Sequence, residues 1–259
     1  MLNKILIFSG LFLIVTLPTG LQSQSETDNK ANLVVERLWQ AIGGQKAWQK
    51  TRYISFRWQV KVDGSIRSDI RHDWDRLENR YRVEGTDRGG KHYVALFNTL
   101  TQQGEVYLDG EKMSADSTTE KYIDLAYSRY INDTYWLLMP FKLTDPGVNL
   151  DYEGKKEING LQCDIIKMTF DQVGLTPGDT YWVYVDEKEN LVRRWEYHLQ
   201  GWDSDRKRSG SDWSGWTNLG ELTLSLDKLW STDGGIFCTE VLVSNDNAPP
   251  NLNNSGKTL

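Results

Sequence analysis

Arg71-His72-Asp73-Trp74-Asp75-Arg76 places an imidazole, two carboxylates and two guanidinium groups within six residues. Carboxylates two apart on one face could serve acid–base chemistry or bind calcium. On a strand, alternation sends Arg71, Asp73 and Asp75 to one face and His72, Trp74 and Arg76 to the other. Such a ladder reads more simply as a solvated sheet face with cross-strand ion pairs. Arg80 and Arg82 on the next strand are the expected partners. Arg193-Arg194 beside Glu196 reads the same way, and exposed pairs of this kind are worth about 0–1 kcal/mol each. A carboxylate-based hydrolase using Asp73, Asp75 or Glu196 ranks third among the functional readings. It requires two carboxylates converging in a cleft.

Other chemistry finds little support. No G-x-S-x-G surrounds a serine, and H-E-x-x-H, the P-loop and the dinucleotide fingerprint are absent. His72, His92 and His198 show no ligand spacing, and Cys163 and Cys238 are too few for a structural zinc site. The two cysteines fall in apparent strands, Leu161–Phe170 and Ile236–Val243. They form either one disulfide or two buried free thiols. No catalytic residue, metal or cofactor is expected. The net charge is −6, and Arg206-Lys207-Arg208 is flanked by Asp203, Asp205 and Asp212. That cluster reads as a solvated loop, and an acidic chain of this kind is a poor match to nucleic acid.

Lys4, the apolar run Ile5–Leu17, the break at Pro18-Thr19-Gly20 and the small residues Ser23 and Ser25 read as a signal peptide over residues 1–25. No cysteine follows the run to carry a lipid. The expectation is therefore an exported, periplasmic protein with its signal cleaved and no lipid anchor. A single domain follows over 26–244. The Asn-, Pro- and Ser-rich stretch 245–259 is expected to be a disordered tail.

The elements come from periodicity. Thr27 or Asp28 is positioned to cap a helix over Ala31–Ile42, with Val34, Leu38 and Ile42 on one face. Gly43-Gly44 stops it, and Trp48 anchors one further turn. Ile54, Phe56, Trp58, Val60 and Val62 then alternate with polar residues, the cleanest strand in the chain. Asp63-Gly64, Asp109-Gly110 and Asn159-Gly160 are turn signals. Ser117–Leu138 has helical spacing, with Ser117, Thr118 or Thr119 as its cap, and breaks before Pro140. About ten or eleven antiparallel strands result, too many to stay flat. The predicted fold is mainly β: a curled, incompletely closed antiparallel barrel with helices covering its concave face.

Tyr135-Trp136-Leu137-Leu138-Met139-Pro140-Phe141 is charge-free in a polar chain and far too short to span a bilayer. It holds one of the chain's eleven tryptophans. They fill an ordinary β core, line a lipid cavity, or stack on sugar rings. The sugar reading makes the protein a secreted glycan-binding module with Trp74, Trp202, Trp213 or Trp216 as platforms.

Several segments together carry a resemblance. They are Ala41-Ile42-Gly43-Gly44-Gln45-Lys46-Ala47-Trp48, the Arg71–Arg76 run with Arg80-Tyr81-Arg82-Val83, and Tyr135–Leu143 with Asp145-Pro146-Gly147-Val148. Tyr181–Asp186 followed by Leu191–Tyr197 completes the set. In this order they resemble exported bacterial proteins related to the outer-membrane lipoprotein-sorting carriers (LolA/LolB-like). The resemblance implies a half-barrel with an apolar cavity for acyl chains, and it transfers no individual contact residue. Burying an acyl chain yields about 0.8 kcal/mol per methylene, so such a carrier needs no catalysis. Ile54, Phe56, Trp58, Val60 and Val62 are the expected wall. Trp136, Leu137, Leu138, Met139 and Phe141 are the expected movable lid. The expected partner is a lipid or acylated protein bound by a monomer, with room for transient membrane contact and none for nucleic acid.

Overall fold

A computed structural model of the chain describes residues 19–171 and 176–254, with side chains from residue 29 onward. Helices α1 (Thr19–Ala41) and α2 (Gly44–Lys50) precede six strands: β1 (Tyr53–Val62), β2 (Ser65–Asp75), β3 (Arg80–Thr86), β4 (His92–Asn98), β5 (Gly104–Leu108) and β6 (Glu111–Lys112). Helix α3 (Asp116–Leu138) and a 3₁₀ turn, Met139–Lys142, follow. The remaining strands are β7 (Val148–Ile158), β8 (Leu161–Phe170), β9 (Thr180–Asp186), β10 (Val192–His198), β11 (Ser209–Leu219), β12 (Leu222–Ser231) and β13 (Gly234–Ser244).

All thirteen strands described form one curled, unclosed antiparallel sheet, in the order β6-β5-β4-β3-β2-β1-β13-β12-β11-β10-β9-β8-β7. The predicted architecture is the observed one, with more strands than the ten or eleven expected. β6 is only two residues long and wholly charged, so it carries no apolar alternation. The turn chemistry is as read: Asn159 and Gly160 have φ of 49° and 79°, and Asp109 and Gly110 have 49° and 87°. Both residues of each pair lie in the left-handed region that a two-residue hairpin demands.

The first and last strands pair at the sheet's centre, Trp58 opposite Cys238. Both edges of the sheet are therefore strands from the middle of the chain. α3 carries the backbone from the β6 edge to the β7 edge, across the inner face. The core lies between that face and the helices. Ile54, Phe56 and Trp58 of β1, Trp74 of β2, and Tyr81 and Val83 of β3 meet Val34 and Leu38 of α1, Ile42 in the turn after it, and Ile123, Leu137 and Leu138 of α3 in one buried cluster.

Helix boundaries differ from the sequence reading. α1 begins at Thr19, upstream of the expected caps Thr27 and Asp28. α3 begins at Asp116, after Ala115, which makes no side-chain cap. Asp116 places a carboxylate in the first turn, where the helix dipole favours it, so the dipole takes the part expected of Ser117, Thr118 or Thr119. In the expected tail, Pro249, Asn251 and Leu252 are buried, and Arg80 Nη1 donates to Asn253 Oδ1 at 3.1 Å. Residues 1–18 and 255–259, parts of the expected signal peptide and tail, lie outside the described residues.

A buried polar chain fixes α3 to the sheet. His72 of β2 points inward, stacked on Phe56 with ring centroids 4.6 Å apart. Its Nε2 lies 3.1 Å from Asp133 Oδ2 on α3, and its Nδ1 lies 3.0 Å from the Tyr81 hydroxyl. An Nε2-protonated imidazole satisfies both contacts: it donates to Asp133 and accepts from Tyr81. Burial raises Tyr81 well above its ordinary range, so the phenol keeps its proton. Asn132 Nδ2 donates to Asp133 Oδ1 at 2.7 Å, and the Arg129 guanidinium lies 3.8 Å from it.

Removing one partner of a buried pair leaves the other uncompensated, at a general cost of about 3–5 kcal/mol. Asp133→Ala is expected to lower unfolding stability by about 3 kcal/mol in urea melts followed by tryptophan fluorescence. Asn132→Ala, which leaves the His72 contact in place, is expected to cost less than half as much.

Candidate functional site

The far end of α3 forms one wall of a cavity of about 540 Å³. The other walls are the stretch from Lys142 to Val148, the end of β8, and the facing strands β9 and β10. Seven aromatic residues line it: Tyr130, Tyr135, Trp136, Phe170, Tyr181, Trp195 and Tyr197. Their placement follows from element geometry. Trp195 and Tyr197 are two apart on β10 and share a face, and Tyr197 is the register partner of Tyr181 on β9. Ile131 and Tyr135 are one helical turn apart on α3.

The rings pack on one another around Trp195. Its ring centroid lies 4.6 Å from that of Trp136, 4.9 Å from Tyr181 and 5.7 Å from Tyr135. Ile131, Pro146, Val148 and Leu199 complete the apolar lining. Burial pushes Tyr130 up to about 12 and raises Tyr135 further above its ordinary value. Both phenols therefore remain neutral. The Trp195 indole N–H is buried with no acceptor among the described residues.

Polar groups sit at two places in the lining. Lys142 Nζ pairs with Asp145 Oδ2 at 3.1 Å. Asp179 is only 4% exposed. It accepts from the Thr176 hydroxyl at 2.6 Å, from the Tyr181 hydroxyl at 2.8 Å and from the Gln200 backbone N–H at 2.7 Å.

The ten residues expected to bind ligand divide. Trp136 lines the cavity. Leu137, Leu138, Met139 and Phe141 are buried in the core instead. Phe141 stacks on Trp48 at 4.7 Å and meets Trp39 edge-on at 5.4 Å. Ile54, Phe56 and Trp58 are buried in the same core, Val60 is packed against it, and Val62 is 37% exposed at the strand's end. The charge-free run thus splits: its first two residues face the cavity and the rest fill the interior. Sequence reasoning missed the β9–β10 wall, although Tyr181, Trp195 and Tyr197 are alternating aromatics on paired strands.

The Asp73–Asp75 ladder is an ion-pair network, as expected, but a buried one. Asp73, Asp75 and Arg82 have no solvent exposure. Asp73 lies 3.6 Å from Arg82 and accepts from Ser55 Oγ at 2.6 Å. Asp75 is held by Arg52 at 3.1 Å and Arg80 at 3.2 Å. Burial pushes the Asp75 carboxyl up, but donors from Arg52, the Glu78 N–H and Arg80 outweigh it and leave a net lowering. Glu196 is likewise lowered, the bonds from Tyr184 and Arg194 outweighing burial. These carboxylates are neutralised by their own protein and do not converge on the cavity.

The glycan platforms and the basic loop also resolve. Trp74 and Trp213 are buried. Trp202 carries the Arg206 guanidinium at 3.8 Å from its ring centroid, and Arg208 lies 3.4 Å from that of Trp182. Two of the three residues expected in a solvated cluster therefore cover indoles. No group of three or more His, Cys, Asp or Glu suited to a metal occurs among the described residues.

Cys163 and Cys238 are free and buried. They lie in separate clusters, Cys238 in the main core and Cys163 in a small one with Ile158, Trp182 and Tyr184. That separation removes the disulfide alternative. Burial pushes both thiols up to about 11.

The sequence matches no family model and no curated protein. Among solved structures, the chain is similar to a DUF1329-family protein from Desulfovibrio piger at 12% identity and TM-score 0.50, covering 88% of this chain and 98% of that one. A candidate outer-membrane lipoprotein-sorting protein domain from Vibrio parahaemolyticus aligns at 9% identity and TM-score 0.46, covering 87% and 97%. A LolA-superfamily protein from Nitrosomonas europaea aligns at 8% and 0.48, covering 85% and 94%. The first likeness is one of fold.

With thiols near 11, the reactive thiolate is about one part in a thousand at pH 8. Neither cysteine is expected to react with an aromatic disulfide reagent in the native protein over an hour at pH 8. Both are expected to react within minutes in denaturing urea.

Proposed function

We propose that this chain is a non-catalytic carrier that shelters the apolar part of a lipid-like ligand in the aromatic cavity beside the C-terminal end of α3. The observation that carries this reading is the cavity itself. Between β1 and α3 the interior is filled by buried side chains such as Ile54, Phe56, Leu137 and Leu138. In the cavity about 540 Å³ is left unfilled, within the range of about 300–1,000 Å³ usual for small-molecule sites. Its walls are apolar with a few fixed polar groups, the lining expected of a binding site. Burial of each methylene supplies about 0.8 kcal/mol, so transfer between a membrane and the protein requires no bond-making.

The half-barrel fold and the leader-like residues 1–25 support a periplasmic setting with lipid or acylated protein as cargo. In this reading the walls are α3 on one side and β9–β10 on the other. Tyr135 and Trp136 are the members of the charge-free run that touch cargo. Leu137, Leu138, Met139 and Phe141 serve as the fixed seat on which that wall rests, and Ile54, Phe56 and Trp58 of β1 support the core behind it.

Organic extracts of gently purified protein, analysed by mass spectrometry, are expected to contain a co-purifying amphiphile. The neutral apolar dye N-phenyl-1-naphthylamine is expected to brighten on binding. Trp136→Asp is expected to weaken dye binding at least tenfold, whereas Val62→Asp, outside the cavity lining, leaves it unchanged. Equal binding by both variants, with no lipid in the extract, would remove the carrier reading.

A further inference from the structure

The aromatic residues of this protein are used repeatedly as seats for its own cations. Eleven such contacts occur among the described residues, for example Arg76 over Trp48 at 3.6 Å, Arg208 over Trp182 at 3.4 Å and Lys228 over Trp213 at 4.7 Å. None of the seven rings lining the cavity carries one among the described residues. The cavity's own cation, Lys142, is held by Asp145.

Asp179 adds a second, independent observation. It lines the cavity, is buried, and accepts three hydrogen bonds, from Thr176, Tyr181 and Gln200. Each of those donors is neutral. No lysine, arginine or histidine lies within ion-pair distance of Asp179 among the described residues. Residues 172–175, Gln-Val-Gly-Leu, contain no cationic side chain. Elsewhere this fold matches its buried carboxylates with cations: Asp73 with Arg82, Asp75 with Arg52 and Arg80, Asp186 with Arg193. A buried charge without an opposite partner is costly. Here the missing partner coincides with a group of rings that carry no cation among the described residues. Aromatic faces and a carboxylate together are the recognition chemistry of an ammonium group.

We infer that the cavity takes a ligand with a cationic nitrogen, an amine or quaternary ammonium, whose charge is met by Asp179 and by the rings around Trp195. This deepens the carrier reading and rests on it. The lining holds two carboxylates, Asp145 and Asp179, and one lysine, Lys142, a composition that favours ammonium groups over fatty-acid carboxylates. The shared chemistry fits an ammonium-bearing lipid head group or a free ammonium compound.

The test displaces the neutral dye from the full chain with three probes of equal tail length, each below its micelle concentration: decyltrimethylammonium, decanol and decanoate. Decyltrimethylammonium is expected to bind at least tenfold more tightly than decanoate and more tightly than decanol. Asp179→Asn, which keeps acceptor oxygen while removing the charge, is expected to abolish that preference, and a preference that persists in the variant overturns the role of Asp179. Tetramethylammonium, added alone, tells the sources apart. Displacement at similar concentration assigns the site to free ammonium compounds, and a need for the decyl tail assigns it to an amphiphile. If the dye binds but decanoate or decanol equals the ammonium probe, the inference is overturned and the carrier reading stands. If neither the dye nor any probe binds, both fall. Should Asp179→Asn not fold, the ranking of the three probes on the unmodified protein decides alone.

Discussion

The arrangement depends on how α3 is held against the sheet. A helix crossing the inner face of a curled sheet could slide or lift if only apolar contacts held it, because such contacts have little directionality. Asp133 removes that freedom. Its carboxylate is buried and must find its partners, and the imidazole of His72 offers one at a single place. Tyr81 then orients the ring from the other side. The position of α3 sets where Tyr135 and Trp136 point and where the apolar run enters the core. A polar contact in the interior thus specifies the location of an apolar cavity at the helix's far end.

The curl has a length argument behind it. Thirteen strands about 4.8 Å apart would make a flat sheet roughly 58 Å wide. α3 has 23 residues, about 35 Å of helix. Curling brings the two edges toward each other until one helix and its short connectors join them. On the outer face, charged side chains are buried among their ion-pair partners, as Asp73, Arg82 and Asp75 are. A face that alternates into charge therefore need not be a wet one.

Much of this was legible in the sequence because it rests on local rules. Alternation marked β1 and its buried face, Asn-Gly and Asp-Gly marked hairpins, and the interruption by α3 was visible as a change of period. The role of the charge-free run was only half legible. Its composition shows that it must be covered, but periodicity cannot say that Trp136 faces one way while Leu137, Leu138, Met139 and Phe141 face another. The opposite wall comes from strands that follow after the β7–β8 hairpin, a pairing set by tertiary register rather than local pattern. Asp179 carries no sequence signal at all: a carboxylate in a Pro-Gly-Asp turn looks like solvent-facing turn chemistry. Its burial follows from Tyr181 and Thr176 folding over it.

The seam between β1 and β13 has a temporal meaning. A chain made from its N-terminus presents β1 early and β13 almost last, so the pairing of Trp58 with Cys238 waits for nearly the whole polypeptide. Each half-sheet is a meander of neighbouring hairpins and can zip locally, but the two halves join only when the final strand arrives. Contacts of such long sequence separation slow folding. Until then each half exposes the edge that will become the middle, the kind of open strand that invites wrong partners. Vectorial delivery and final assembly are therefore separate events in this topology, with the last strand acting as the closing stitch.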